Sequence, residues 1–107
     1  MHVQVVTYRM AEDVSDDEFI DANREFAEAM AAVPGLLSKV WLKGDEANAY
    51  GGLYLWEDRA ACQSFLSSDL WAEVVNDPSV VELTSEDFAV MDGLTRSTQP
   101  RMQLISN

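Results

Sequence analysis

Two period-two stretches in the middle of the chain constrain the fold more than anything else in it. Leu36–Lys43 reads LLSKVWLK and Tyr50–Trp56 reads YGGLYLW, with the polar turn GDEANA between them. Successive side chains of a strand point to opposite faces of a sheet. Val40, Leu42, Leu53 and Leu55 therefore fall in one set, and Trp41, Tyr54 and Trp56 in the alternate set. Both faces of this hairpin are apolar or aromatic, so both need a cover.

The rest of the chain supplies one cover. Residues 2–9, HVQVVTYR, are rich in strand-forming types. A helix starts at Ser15, which has capping-box spacing to Glu18, with Val14 and Phe19 placed as a hydrophobic staple. Asp16, Asp17 and Glu18 put negative charge where the helix dipole favours it. Phe19, Ala22, Phe26, Met30 and Val33 recur at steps of three and four and mark a buried face. Glu25 and Glu28 fall off that face, and Pro34-Gly35 ends the helix. Asp58 can cap a second helix, RAACQSFL, which breaks near Ser67-Ser68 before a further helical piece, DLWAEVVN. A last strand runs from about Val80 to Met91, with Leu83, Ser85 and Asp87 on one side and Glu82, Thr84, Glu86 and Phe88 on the other.

The order β-α-β-β-α-β predicts an α+β, ferredoxin-like fold: a four-stranded antiparallel sheet with its helices on one face. The uncovered face then calls for a second copy of the chain, so a homodimer is expected, sheet against sheet. At 107 residues there is room for a single domain, 1–107, with a polar C-terminal tail from about residue 95.

Charge and residue inventory narrow the function. Nineteen acidic residues against seven basic give a net charge of −12, and the basic residues are scattered, which argues against nucleic acid. Anionic membranes are disfavoured in the same way, and no apolar run is long enough to span a bilayer. Cys62 is the single cysteine, so no internal disulfide forms, and a cytoplasmic location is expected. No glycine-rich phosphate cradle follows a strand. With one histidine and one cysteine, no His/Cys metal set is expected within a protomer, and His2 reads as an ordinary surface histidine. The expected cofactor and metal complement is none.

What remains is aromatics, carboxylates and lysines. Lys39 and Trp41 share one face of their strand; Tyr50, Gly52, Tyr54 and Trp56 share one face of theirs. If those faces coincide, they form an aromatic wall with a gap at Gly52. The same residues are equally good strand formers and cross-strand partners, so packing or a dimer interface would also explain them. Lys39 could likewise be an edge-protecting charge.

The stretch VPGLLSKVWLKGDEANAYGGLYLWED, with Pro34-Gly35, Lys39-Val40-Trp41, Gly51-Gly52 and Tyr54-Leu55-Trp56, resembles the YdhR-type mono-oxygenases of the dimeric α+β barrel superfamily. The similarity is most specific over Gly35–Asp58 and continues more weakly to EDFAVMDGLT. The resemblance implies a ferredoxin-like protomer, a barrel-forming dimer and kinship with cofactor-independent oxygenases of aromatic compounds. On that reading Lys39 and Tyr54 are the expected catalytic residues. Trp41, Gly52, Trp56, Tyr50 and Phe26 then line a pocket for a small aromatic or quinone-like compound. A non-catalytic barrel that binds a small apolar molecule, or a purely structural one, is the alternative.

Overall fold

A computed structural model describes residues 1–102. The elements are β1 (His2–Met10), α1 (Asp16–Ala31), β2 (Leu36–Lys43), β3 (Ala49–Trp56), α2 (Arg59–Leu66), α3 (Asp69–Val75), β4 (Val80–Ala89) and α4 (Asp92–Ser97). All four strands join one antiparallel sheet in the order β2-β3-β1-β4. This is the expected βαββαβ arrangement, with the second helix split in two.

Local chemistry explains the boundaries of the first three helices. Ser15 Oγ accepts from the Glu18 amide at 3.1 Å and Glu18 Oε1 accepts from the Ser15 amide at 3.2 Å, so the capping box closes at the start of α1. After α1, Gly35 adopts φ +82°, a conformation costly for a residue with a side chain, and the Ala61 Cβ of α2 occupies the space a side chain would need. Asp58 Oδ1 accepts from the Ala61 amide at 2.8 Å and opens α2. Ser68 Oγ accepts from the Trp71 amide at 3.2 Å and opens α3, which produces the break expected near Ser67-Ser68.

Register decides which face is which. Lys39 pairs with Tyr54 and Trp41 with Gly52 across β2 and β3, while Gln4 pairs with Tyr54 and Val6 with Gly52 across β1 and β3. Directly paired residues share a face, and this face carries the core: Val6, Met30, Tyr54, Trp56, Cys62 and Phe65 are buried together. Helices α1, α2 and α3 pack on it. Val40, Leu53 and Val5 form a row on the opposite face, as do Leu55, Val3 and Phe88. That face stays open at Val40, Leu42 and Phe88, the last 50% exposed.

Three sequence expectations need amendment. His2 is not a surface residue. β1 lies between β3 and β4, and His2 is buried with its Nε2 2.5 Å from Asp87 Oδ1. β4 ends at Ala89 rather than Met91, and it bulges at Glu82, where φ is +54° and the register with β1 shifts between Thr7 and Arg9. The tail expected from about residue 95 begins inside the short helix α4, and positions 103–107 lie outside the described residues.

Candidate active site

A cavity of about 490 Å³ opens between the helix-bearing face of the sheet and helices α1 and α3. Its origin lies in small residues. α1 turns Ala22 and Ala29 toward the sheet, and β3 presents Gly52 on the same face, so helix and sheet do not close on one another there. Ala22 belongs to the face expected to be buried, yet it stays exposed because it borders this space.

Lys39 reaches the floor of the cavity from β2. Its Nζ lies 3.6 Å from the Trp41 ring centroid, 4.6 Å from that of Tyr54 and 4.9 Å from that of Phe26. Ring faces attract a cation. No carboxylate forms an ion pair with this amine among the described residues. Burial alone pulls its pKa down from the ordinary lysine value to about 7. A Cβ added at Gly52 would stand 3.0 Å from Lys39 Cε and 2.9 Å from Tyr54 Cε1. The space left by the glycine therefore accommodates the lysine stem and the edge of the tyrosine ring.

Two phenols complete the wall. Burial raises the Tyr54 hydroxyl well above the usual tyrosine range, with a further contribution from Tyr8. Burial, reinforced by Tyr50, raises Tyr8 to about 12. Both therefore remain hydrogen-bond donors at neutral pH. Exposed Glu25, Glu73 and Asp77 stand at the mouth.

Five of the seven expected residues, Lys39, Tyr54, Trp41, Gly52 and Phe26, thus border one cavity. Tyr50 and Trp56 lie outside its lining. Tyr50 stacks on Phe19 at 3.9 Å with rings 4° apart, and its hydroxyl donates to Asp16 Oδ1 at 3.2 Å. Trp56 is fully buried behind Tyr54, 6.2 Å away in a near-parallel stack, and its Nε1 donates to Gln4 Oε1 at 3.1 Å. Tyr8 is not among the expected residues, although it alternates in phase with Gln4 and Val6 on the first strand. The α3 wall, Leu70 and Val74, is absent from them as well, because no local pattern says which side of that helix meets the sheet.

Sheet order, helices on one face and an open-mouthed cleft between the layers define a ferredoxin-like α+β protein with a cavity large enough for a small organic molecule. Residues 4–101 match the family described as "Putative mono-oxygenase ydhR", and the chain belongs to that family. No curated protein matches it. Among solved structures it is similar to SnoaB, a cofactor-independent oxygenase from Streptomyces nogalater, at 18% identity and a TM-score of 0.66, over 83% of this chain and 91% of that one. It is also similar to an antibiotic biosynthesis monooxygenase, at 15% identity and TM-score 0.63 over 82% and 97% of the two chains. A conserved protein from Methanosarcina mazei Go1 matches at 14% identity and TM-score 0.63, over 82% and 91%. At such identities the likeness concerns the fold.

Proposed function

We propose that the chain is an oxygenase that uses no metal or flavin in its chemistry and acts on a small aromatic or quinone-like compound held in the cavity. It works as a homodimer joined through the open sheet faces. The observation that carries this reading is Lys39: an amine set among three rings, without a carboxylate partner among the described residues, at the floor of a cavity of substrate size.

Dioxygen reacts slowly with closed-shell molecules but accepts an electron from an electron-rich carbanion or phenolate. The enzyme's task is to make that anion and keep water from it. Lys39, with a pKa of about 7, is neutral often enough to take a proton from an activated methylene or phenol. The ammonium so formed then stands beside the anion it created. Tyr54 and Tyr8 hydroxyls can donate to the developing oxyanion. Trp41 and Phe26 offer apolar surface to the substrate ring. For a methylene substrate the anion gives one electron to oxygen, and the radicals combine at carbon. Protonation yields a hydroperoxide, which loses water to leave a ketone. One dioxygen is consumed: one of its atoms becomes the carbonyl oxygen, and the other leaves as water with the two methylene hydrogens.

An oxygen electrode tests this with an anthrone or hydroquinone and flavin-free, chelator-treated protein, at a temperature where the chain stays folded. Steady uptake is expected, and Lys39→Met should lower it by about 10²–10⁴-fold. Protection of the protein against heat by the ligand, with no oxygen consumed, would make it a binding module instead.

A further inference from the structure

Away from the cavity, three elements bring unlike donor groups to one point. His2 from β1, Cys62 from α2 and Asp87 from β4 each present one ligand atom, and these atoms lie within 4.8 Å of one another. None of the three borders the cavity. Trp56 stands between the two places, stacked on Tyr54 toward the cavity and hydrogen-bonded to Gln4 toward the donors.

We propose that His2, Cys62 and Asp87 form a binding site for one borderline divalent cation, zinc in the first instance, which pins the second helix to the two adjacent strands. The donor set fits that ion: an imidazole nitrogen, a thiolate and a carboxylate oxygen are all accepted by zinc. With thiolate and carboxylate each carrying one negative charge, the filled site is neutral, which suits a buried place. Binding breaks the Cys62 S–H bond, forms the metal–sulfur bond and releases one proton. Zinc bond lengths of about 2.0–2.3 Å place tetrahedral ligand atoms about 3.3–3.8 Å apart. Cys62 Sγ therefore needs to close by about 1 Å while the His2–Asp87 pair opens by slightly less, both within the reach of small side-chain rotations. His2 Nε2 and Asp87 Oδ1 already face each other at 2.5 Å, and the ion enters between them.

Gln4 Oε1 accepts from Trp56 Nε1 at 3.1 Å and faces Cys62 Sγ at 3.9 Å, while Gln4 Nε2 donates to Ser85 Oγ at 3.0 Å. The amide is held at both ends, and the contact that the Cys62 thiol donates to it is given up when the sulfur loses its proton to the ion. Cys62 is fully buried and His2 nearly so, whereas the Asp87 side chain is 33% exposed. The carboxylate side is thus both the entry and the position for a water as fourth ligand.

Cobalt(II) tests the site, and the sequence makes the test clean. Cys62 is the only cysteine, so any thiolate-to-cobalt charge-transfer band must come from this place. Metal-stripped full-length protein titrated with cobalt(II) should develop that near-ultraviolet band together with the intense visible bands of tetrahedral cobalt. They should saturate at one ion per chain and bleach when zinc is added. Zinc should also raise the Tm. Cys62→Ser should abolish the charge-transfer band, and Asp87→Asn should weaken binding at least 10-fold. A pale octahedral spectrum with no charge-transfer band in the unmodified protein would overturn the proposal, because it places cobalt on surface carboxylates alone. That readout needs no variant, so a poorly folding Cys62→Ser protein does not blunt it.

Discussion

Lys39 shows how one side chain can carry both a stability cost and a chemical opportunity. Its ordinary pKa is 10.5, and burial takes it to about 7 in the folded chain. Between those values the unfolded state binds more protons than the folded one. Stability from this group is therefore full above about 10.5 and is lost as pH falls through 7. Lys39→Met removes the cost, so its Tm should exceed that of the parent most at pH 6, with the gain shrinking toward pH 10. A difference in Tm that stays constant across that range would contradict the account. Much of this locality was legible in the sequence: alternation alone placed Lys39 beside Trp41 and Tyr54 beside Gly52. What alternation cannot supply is the third dimension. Trp56 has the same phase as Tyr54, yet it sits under the Phe65 ring, 5.2 Å between centroids, where α2 covers it. His2, Cys62 and Asp87 are as far as 85 positions apart in the chain, and only the finished sheet shows that they meet.

At the scale of elements, local chemistry and long-range packing agree nearly everywhere. α1 illustrates this: its capping box, acidic first turn and Pro34-Gly35 terminus are all readable in the chain, and all are in place. Ser15→Ala should cost about 1 kcal/mol of unfolding free energy, measured by urea denaturation, since it leaves the Glu18 amide without its side-chain acceptor. The same helix roofs the cavity, so the loss should also loosen ligand binding. α4 escapes a sequence reading for a physical reason. It is six residues long, it buries none of them, and its first residue has no side-chain cap, so neither periodicity nor capping marks it. The bulge at Glu82 is equally silent, because a non-glycine residue at positive φ announces nothing in sequence.

On the scale of the whole molecule, the sheet has one face committed to helices and one uncommitted. The two-sided apolar hairpin makes that legible from alternation alone, and the proposed dimer rests on it. Phe88, half exposed beside Val3, lies on the edge strand of the uncovered face. Phe88→Asp puts a charge where two sheets would meet. Sedimentation equilibrium should then show the dimer dissociating at concentrations at least 10-fold above those needed for the parent, whereas an unchanged dissociation constant would place the interface elsewhere. The mouth of the cavity has a consequence of another kind. Glu25, Glu73 and Asp77 line the approach to Lys39 between α1 and α3, on a chain whose net charge is −12. Such a field turns anions away and lets neutral acids through, so the entrance sorts molecules by ionisation before shape is consulted. A phenol would travel in with its proton and surrender it at the floor. Its rate of entry should ignore added salt, while that of a permanently anionic analogue should climb as the carboxylates are screened.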